Sequence, residues 1–122
     1  MDESARILVI DDEQSICFAF RRYFEQRGHE VAVAATGQEG LARYRQWHPD
    51  VVFLDIRLGD GNGIKFLEEL RSRGVDKPVL LMSGLSFEAE DKKAIELTGH
   101  PVLRKPIDPE KVFEVVERFI AR

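Results

Sequence analysis

The sequence predicts an α/β fold: five βα units forming a doubly wound, mostly parallel five-stranded sheet with helices on both faces. Two observations carry this. Short, continuous, partly β-branched apolar runs alternate along the chain with segments whose apolar residues recur every three or four positions. The main runs also lack the polar alternation of a half-exposed strand, so they read as strands buried on both faces, and helix-length connections between them require parallel pairing.

The elements follow in order. Ile7–Ile10 is the first buried strand. Ile16, Phe20, Tyr23, Phe24 and Arg27 then mark a helix face, with Gly28 as its C-terminal stop. Glu30-Val31-Ala32-Val33-Ala34 is a less apolar strand, expected nearer an edge. Thr36-Gly37-Gln38-Glu39 has the spacing of a capping box and opens a helix through Leu41 and Tyr44. Val51–Leu54 is the third strand, and a glycine-rich loop follows it. Ile64, Leu67, Glu68 and Leu70 mark a third helix that stops at Gly74. Val79–Met82 is the fourth strand, and the next helix runs from about Phe87 to Leu97, before Gly99. Pro101-Val102-Leu103 is a short fifth strand, and its proline suggests an edge. Asp108-Pro109 caps the last helix, with Val112, Val115, Val116, Phe119 and Ile120 on one face. Tyr44, Trp47 and the phenylalanines read as packing groups rather than a cofactor stack.

A chain of 122 residues fits one compact domain, taken as residues 1–122, that can bury a core without staples. The single cysteine, Cys17, excludes an internal disulfide and reads as packing. A net charge of −4 argues against a nucleic-acid surface. No apolar stretch approaches the roughly 20 residues of a membrane span. The acidic start, Met1-Asp2-Glu3-Ser4, lacks a signal-peptide core, so a soluble cytoplasmic protein is expected.

The chemistry gathers where the strands end. The first strand runs into Asp11-Asp12 and the third into Asp55. If these strands lie side by side, three carboxylates share one pocket at the carboxyl edge of the sheet, where open parallel sheets bind ligands. The same edge receives Ser83-Gly84 after the fourth strand and Lys105-Pro106 after the fifth. Two carboxylates about 4 Å apart repel by about 4 kcal/mol at an effective dielectric near 20, so pKa values rise or a cation sits among them. Hard oxygen donors favour Mg²⁺. His29, His48 and His100 fall away from this edge, which argues against zinc. Taken singly, each feature has a plainer reading: Asp11-Asp12 a helix N-cap, Ser83-Gly84 a turn, Lys105 a solvated lysine.

Together, in this order and on these elements, Asp11-Asp12, Asp55, Gly63, Ser83-Gly84 and Lys105-Pro106 make the chain similar to the receiver domain of two-component response regulators over essentially its whole length. The resemblance implies a flavodoxin-like three-layer sandwich with strand order 2-1-3-4-5. It implies that Asp55 accepts a phosphoryl group from a sensor histidine kinase or a histidine phosphotransfer protein. Asp12 would bind Mg²⁺ directly and Asp11 would position it, with Asp55 and the Arg57 backbone carbonyl as further ligands. Lys105 would offset phosphoryl charge, Ser83 would hydrogen-bond a phosphoryl oxygen, and Lys105-Pro106 is often cis. Such a domain catalyses only its own phosphorylation and dephosphorylation, with Arg57 and Leu85 flanking the path of water. It is expected to act as a monomer or weak dimer, without membrane or direct nucleic-acid contact, on a downstream effector.

Three positions depart from the family pattern. Gly59 stands where proline is common, which should loosen that loop. The segment Gly99-His100-Pro101 looks one residue short. Val102 replaces the usual Phe or Tyr three positions before the lysine, an aromatic that turns inward on phosphorylation. The expected shift at the surface of the fourth helix, fifth strand and fifth helix is therefore small, or carried by the fourth helix alone. Three other readings fit parts of the pattern. A receiver excised from a larger DNA-binding regulator would leave the chemistry unchanged, its effector lying beyond Arg122. A flavodoxin-like electron carrier conflicts with Asp11-Asp12-Glu13 where a phosphate would sit. An aspartate-nucleophile phosphatase would want a second Asp where Glu13 stands.

Overall fold

The computed structural model describes residues 4–85 and 87–120, without the side chains of Phe119 and Ile120. The acidic start at Met1-Asp2-Glu3, the side chains of the apolar pair Phe119 and Ile120, and the chain end at Arg122 lie outside the described set. The elements run β1 (Arg6–Ile10), α1 (Gln14–Glu25), β2 (Glu30–Ala34), α2 (Gly37–Trp47), β3 (Val51–Asp55), β4 (Arg57–Leu58), β5 (Gly61–Asn62), α3 (Gly63–Ser72), β6 (Val79–Ser83), α4 (Glu88–Thr98), β7 (Leu103–Arg104) and α5 (Pro109–Ile120).

Five strands form one parallel sheet in the order β2-β1-β3-β6-β7. With the small β4–β5 ribbon set aside, that is the expected order 2-1-3-4-5. The strand periodicity sorts the core. Leu8, Ile10, Val52, Leu54, Val79 and Leu81 face one way, packed with Tyr44, Trp47, Phe66 and Leu97 of α2, α3 and α4. Ile7, Val9, Val51, Phe53, Leu80 and Met82 face the other, packed with Phe20, Phe24, Val112 and Val116 of α1 and α5. Phe20 meets Phe53 edge-on with ring centroids 4.7 Å apart. Each such fully buried side chain contributes about 1.5–3 kcal/mol of burial free energy. Cys17 packs half-buried against the α1–α5 side.

Caps fall close to their predicted places. Thr36 Oγ1 accepts from the Glu39 amide at 3.0 Å, but Glu39 returns its bond to the Ala35 amide, one residue earlier than in a reciprocal box. Gly74 and Gly99 end α3 and α4 with positive φ.

Three local differences matter. The glycine-rich loop after β3 contains an antiparallel ribbon, with Arg57 opposite Asn62. The predicted strand at Pro101-Val102-Leu103 is displaced: only Leu103 and Arg104 pair with the sheet, opposite Met82 and Ser83. Pro101 has no N–H, and the Val102 amide donates to the Asp91 side chain at 3.2 Å instead of to β6. The first helix is also shorter than its apolar pattern, closing at Glu25, with Arg27 and Gly28 in the turn that follows.

Candidate functional site

The parallel register places the ends of β1 and β3 side by side, with Ile10 opposite Leu54. Asp11 follows the first strand and Asp55 ends the other. Both are buried, at 1% and 3% exposure, while Asp12 is exposed. Their carboxylates each offer an oxygen within 4.8 Å of the other two. The three acids singled out in the sequence therefore form one cluster, half roofed and half open.

Lys105 closes it. Its ammonium lies 2.6 Å from Glu13 Oε1, 2.9 Å from Asp11 Oδ2 and 3.3 Å from Asp55 Oδ2. Lys105 follows β7, its amide donates to the Ser83 carbonyl at 2.9 Å, and the Lys105-Pro106 bond is cis. Burial alone would lower the lysine pKa. The bond to Glu13 and the close carboxylates of Asp11 and Asp55 outweigh it and raise the pKa. Glu13 as a partner for Lys105 was not anticipated; 92 positions separate the two residues, and only the sheet order joins them.

The carboxylates are not equivalent. Asp11 Oδ1 accepts from the Glu13 amide at 2.8 Å, so Asp11 shapes the turn into α1, although the N-cap position belongs to Glu13. Asp11 Oδ2 contacts Lys105 without a directed hydrogen bond and is otherwise unsatisfied among the described residues. Asp55 Oδ1 accepts from the Arg57 amide at 3.1 Å. Burial raises the Asp55 pKa and the Asp11 charge adds to this, against the lowering effects of the Arg57 amide and Lys105. Oxygen donors from two buried carboxylates and an exposed one, with Asp11 Oδ2 incompletely satisfied, fit a hard cation, and this acidic cluster could hold a metal ion.

Ser83 is fully buried at the end of β6, and its hydroxyl oxygen accepts from the Leu85 amide at 3.0 Å. It shares the sheet edge with Asp55, whose neighbour Ile56 donates to the Met82 carbonyl. Gly63 explains itself sterically: a Cβ there would lie 2.3 Å from the Asp55 carbonyl oxygen. Asp60 was not singled out. Its carboxylate accepts from the Gly37 and Gln38 amides at 2.9 and 3.0 Å, tying the β4–β5 ribbon to the N-terminus of α2. An acidic residue in the glycine loop was the available signal, but only the fold shows which helix it meets. The Arg57 side chain turns to α4, where it pairs with Glu90 at 3.1 Å and lies over the Phe87 ring.

The sequence model of the response regulator receiver domain matches residues 7–117, and the chain belongs to that family. It is similar to the regulatory protein AtoC of Escherichia coli, 33% identical over 93% of this chain and 24% of the relative. It is also similar to the alkaline phosphatase synthesis transcriptional regulatory protein PhoP of Bacillus subtilis, 30% identical over 96% of this chain and 49% of the relative. The chain thus spans about a quarter to a half of the length of these relatives. Among solved structures, the receiver domain of the Francisella response regulator 1452 superposes with a TM-score of 0.88 at 25% identity, covering 98% of both chains. The protein is a receiver domain of two-component response regulators, a signalling fold. No helix among the described residues is long and apolar enough to cross a membrane.

Proposed function

We propose that Asp55 is the phosphoacceptor of this receiver, that residues 1–122 act as one phosphoacceptor unit, and that the donor is a phosphohistidine on a kinase or phosphotransfer protein. The carrying observation is the buried Asp55 carboxylate at the end of β3, gathered with Asp11 and Asp12 and touched by Lys105. An Asp55 oxygen attacks phosphorus as the phosphorus–nitrogen bond of the donor breaks. The imidazole leaves with the electron pair and is protonated, and an acyl phosphate remains. Lys105 would offset charge on the transferring group, and the buried Ser83 hydroxyl would donate to a phosphoryl oxygen. Asp12, with Asp11, Asp55 and the Arg57 backbone carbonyl, would hold Mg²⁺, which supplies charge neutralisation. The domain catalyses this transfer and its own dephosphorylation. It works in the cytoplasm as a monomer or weak dimer and passes the signal to an effector on the same chain or a separate one.

The test is incubation with a small phosphodonor, with and without Mg²⁺, followed by intact mass and peptide mapping. One phosphoryl group at Asp55 is expected, absent from Asp55→Asn and nearly absent from Asp12→Ala, with Asp11→Ala retaining part. Equal labelling of Asp55→Asn, or labelling indifferent to a chelator, refutes the reading.

A further inference from the structure

We propose that the Arg57–Glu90 ion pair is a latch through which occupancy of Asp55 reaches α4, the guanidinium leaving Glu90 for the phosphoryl oxygens. This rests on the reading of Asp55 as the phosphoacceptor. Arg57 touches both ends. Its amide donates to Asp55 Oδ1 at 3.1 Å, and its Nη2 lies 3.1 Å from Glu90 Oε1 in the first turn of α4. Its guanidinium also lies 5.4 Å from the ring centroid of Phe87, the N-cap residue of that helix. So one residue, through its amide and its side chain, joins the end of β3 that carries Asp55 to the start of α4.

The fastening is incomplete. Glu90 engages only one nitrogen, and Nη1 is buried without a hydrogen-bond partner among the described residues. A guanidinium held by one bond, with a second donor unsatisfied, is readily captured by an anion that can take two. A phosphoryl group carries more charge than the carboxylate and offers three oxygens in place of two. Glu90 left behind is tolerated, because a carboxylate in the first turn of a helix interacts favourably with its N-terminal amides.

The rest of the face is tied independently. Arg104 pairs with Asp91 and donates to the Leu85 carbonyl, and Asp91 also accepts the Val102 amide. None of these bonds involves Arg57. Opening the latch therefore frees the Phe87–Glu90 end of α4 while β7 stays held. This gives the chain a route from site to surface that does not use an aromatic at Val102.

Competition has a signature that a structural role lacks: removing the competitor tightens binding at the other site. The experiment measures beryllofluoride binding, with Mg²⁺, to wild type, Glu90→Gln, Arg57→Gln, the double variant and Asp55→Asn. Glu90→Gln is expected to bind about 5-fold more tightly than wild type, as befits a partly exposed ion pair. Arg57→Gln is expected to bind more weakly, and in that background Glu90→Gln should change affinity less than about 2-fold. Amide resonances from Leu85 to Asp91 in free Glu90→Gln should move toward their positions in the bound wild type. Unchanged or weaker binding by Glu90→Gln overturns the latch, since Glu90 would then only position Arg57. Wild-type binding that survives Asp55→Asn, or is absent altogether, overturns the underlying reading and the latch with it.

Discussion

The Val102 amide donates to Asp91 Oδ1 at 3.2 Å, so the approach to β7 is held by a side chain of α4 and not by the sheet. The other Asp91 oxygen pairs with Arg104. One carboxylate therefore fixes both ends of a three-residue stretch. Asp91→Ala is expected to lose about 1–2 kcal/mol of stability, from a lost amide bond and a lost charged pair. Denaturant unfolding gives the magnitude. Amide exchange should accelerate at Val102 and Arg104 while β1 and β3 keep their protection.

Asp55 is costly to the folded chain. Its raised pKa means that the folded state holds the proton more tightly than the unfolded state does. The linked stabilisation is full below the ordinary value of 3.8 and is lost as pH rises through the raised folded value. At neutral pH, Asp55→Asn should therefore be more stable than wild type, with a higher melting midpoint. The advantage should shrink toward pH 3.5. Added Mg²⁺ should narrow it by stabilising wild type more than the variant. Thermal scans across pH and metal concentration check all three.

Gly63 admits no side chain. A Cβ would lie 2.3 Å from the Asp55 carbonyl oxygen and 3.0 Å from Ile56 Cα, both backbone atoms that cannot swing aside. Gly63→Ala is expected to cost about 2–3 kcal/mol and to shift the end of β3. Phosphorylation of Asp55 should slow with it, which time courses with a small phosphodonor would show. Gly59→Ala, with nothing near its Cβ, is the control and should be near neutral.

Arg71 binds three carbonyls that no helix or strand satisfies: Leu97 at the end of α4, and Val75 and Lys77 before β6. Arg71→Met should lose about 2–3 kcal/mol. Arg71→Lys should recover less than half of this, because an ammonium cannot reproduce the planar fork. Denaturation midpoints with an unchanged slope would support this assignment.

Cys17 is a protected thiol. Burial, and then the nearby Asp11 charge, push its pKa up to about 11 from an ordinary 9.0. Its stability contribution is present below pH 9.0 and is lost as pH rises toward about 11. At pH 8 its thiolate fraction is roughly a hundredfold below that of a free cysteine, and alkylation of the folded protein should be slowed accordingly. Comparing iodoacetamide rates for native and urea-unfolded protein tests this; equal rates would refute it.

The main strands were legible because four-residue apolar runs have few alternatives, and Gly74, Gly99, Thr36 and Asp108 punctuate the helices by local backbone chemistry. Local order also showed that Asp11, Asp12, Asp55, Ser83 and Lys105 fall at strand ends, which is enough to place them on one edge of a parallel sheet. Tertiary structure decided what depends on partners distant in sequence. Only the strand order brings Lys105 to Glu13, only the docking of the β4–β5 ribbon gives Asp60 its helix, and only the placement of α4 supplies Glu90 to Arg57 and Asp91 to Val102. Short-range periodicity fixes which way a side chain faces. Which polar group it meets is set by packing between elements, because buried and half-buried donors and acceptors must find whatever partner the fold brings within about 3 Å.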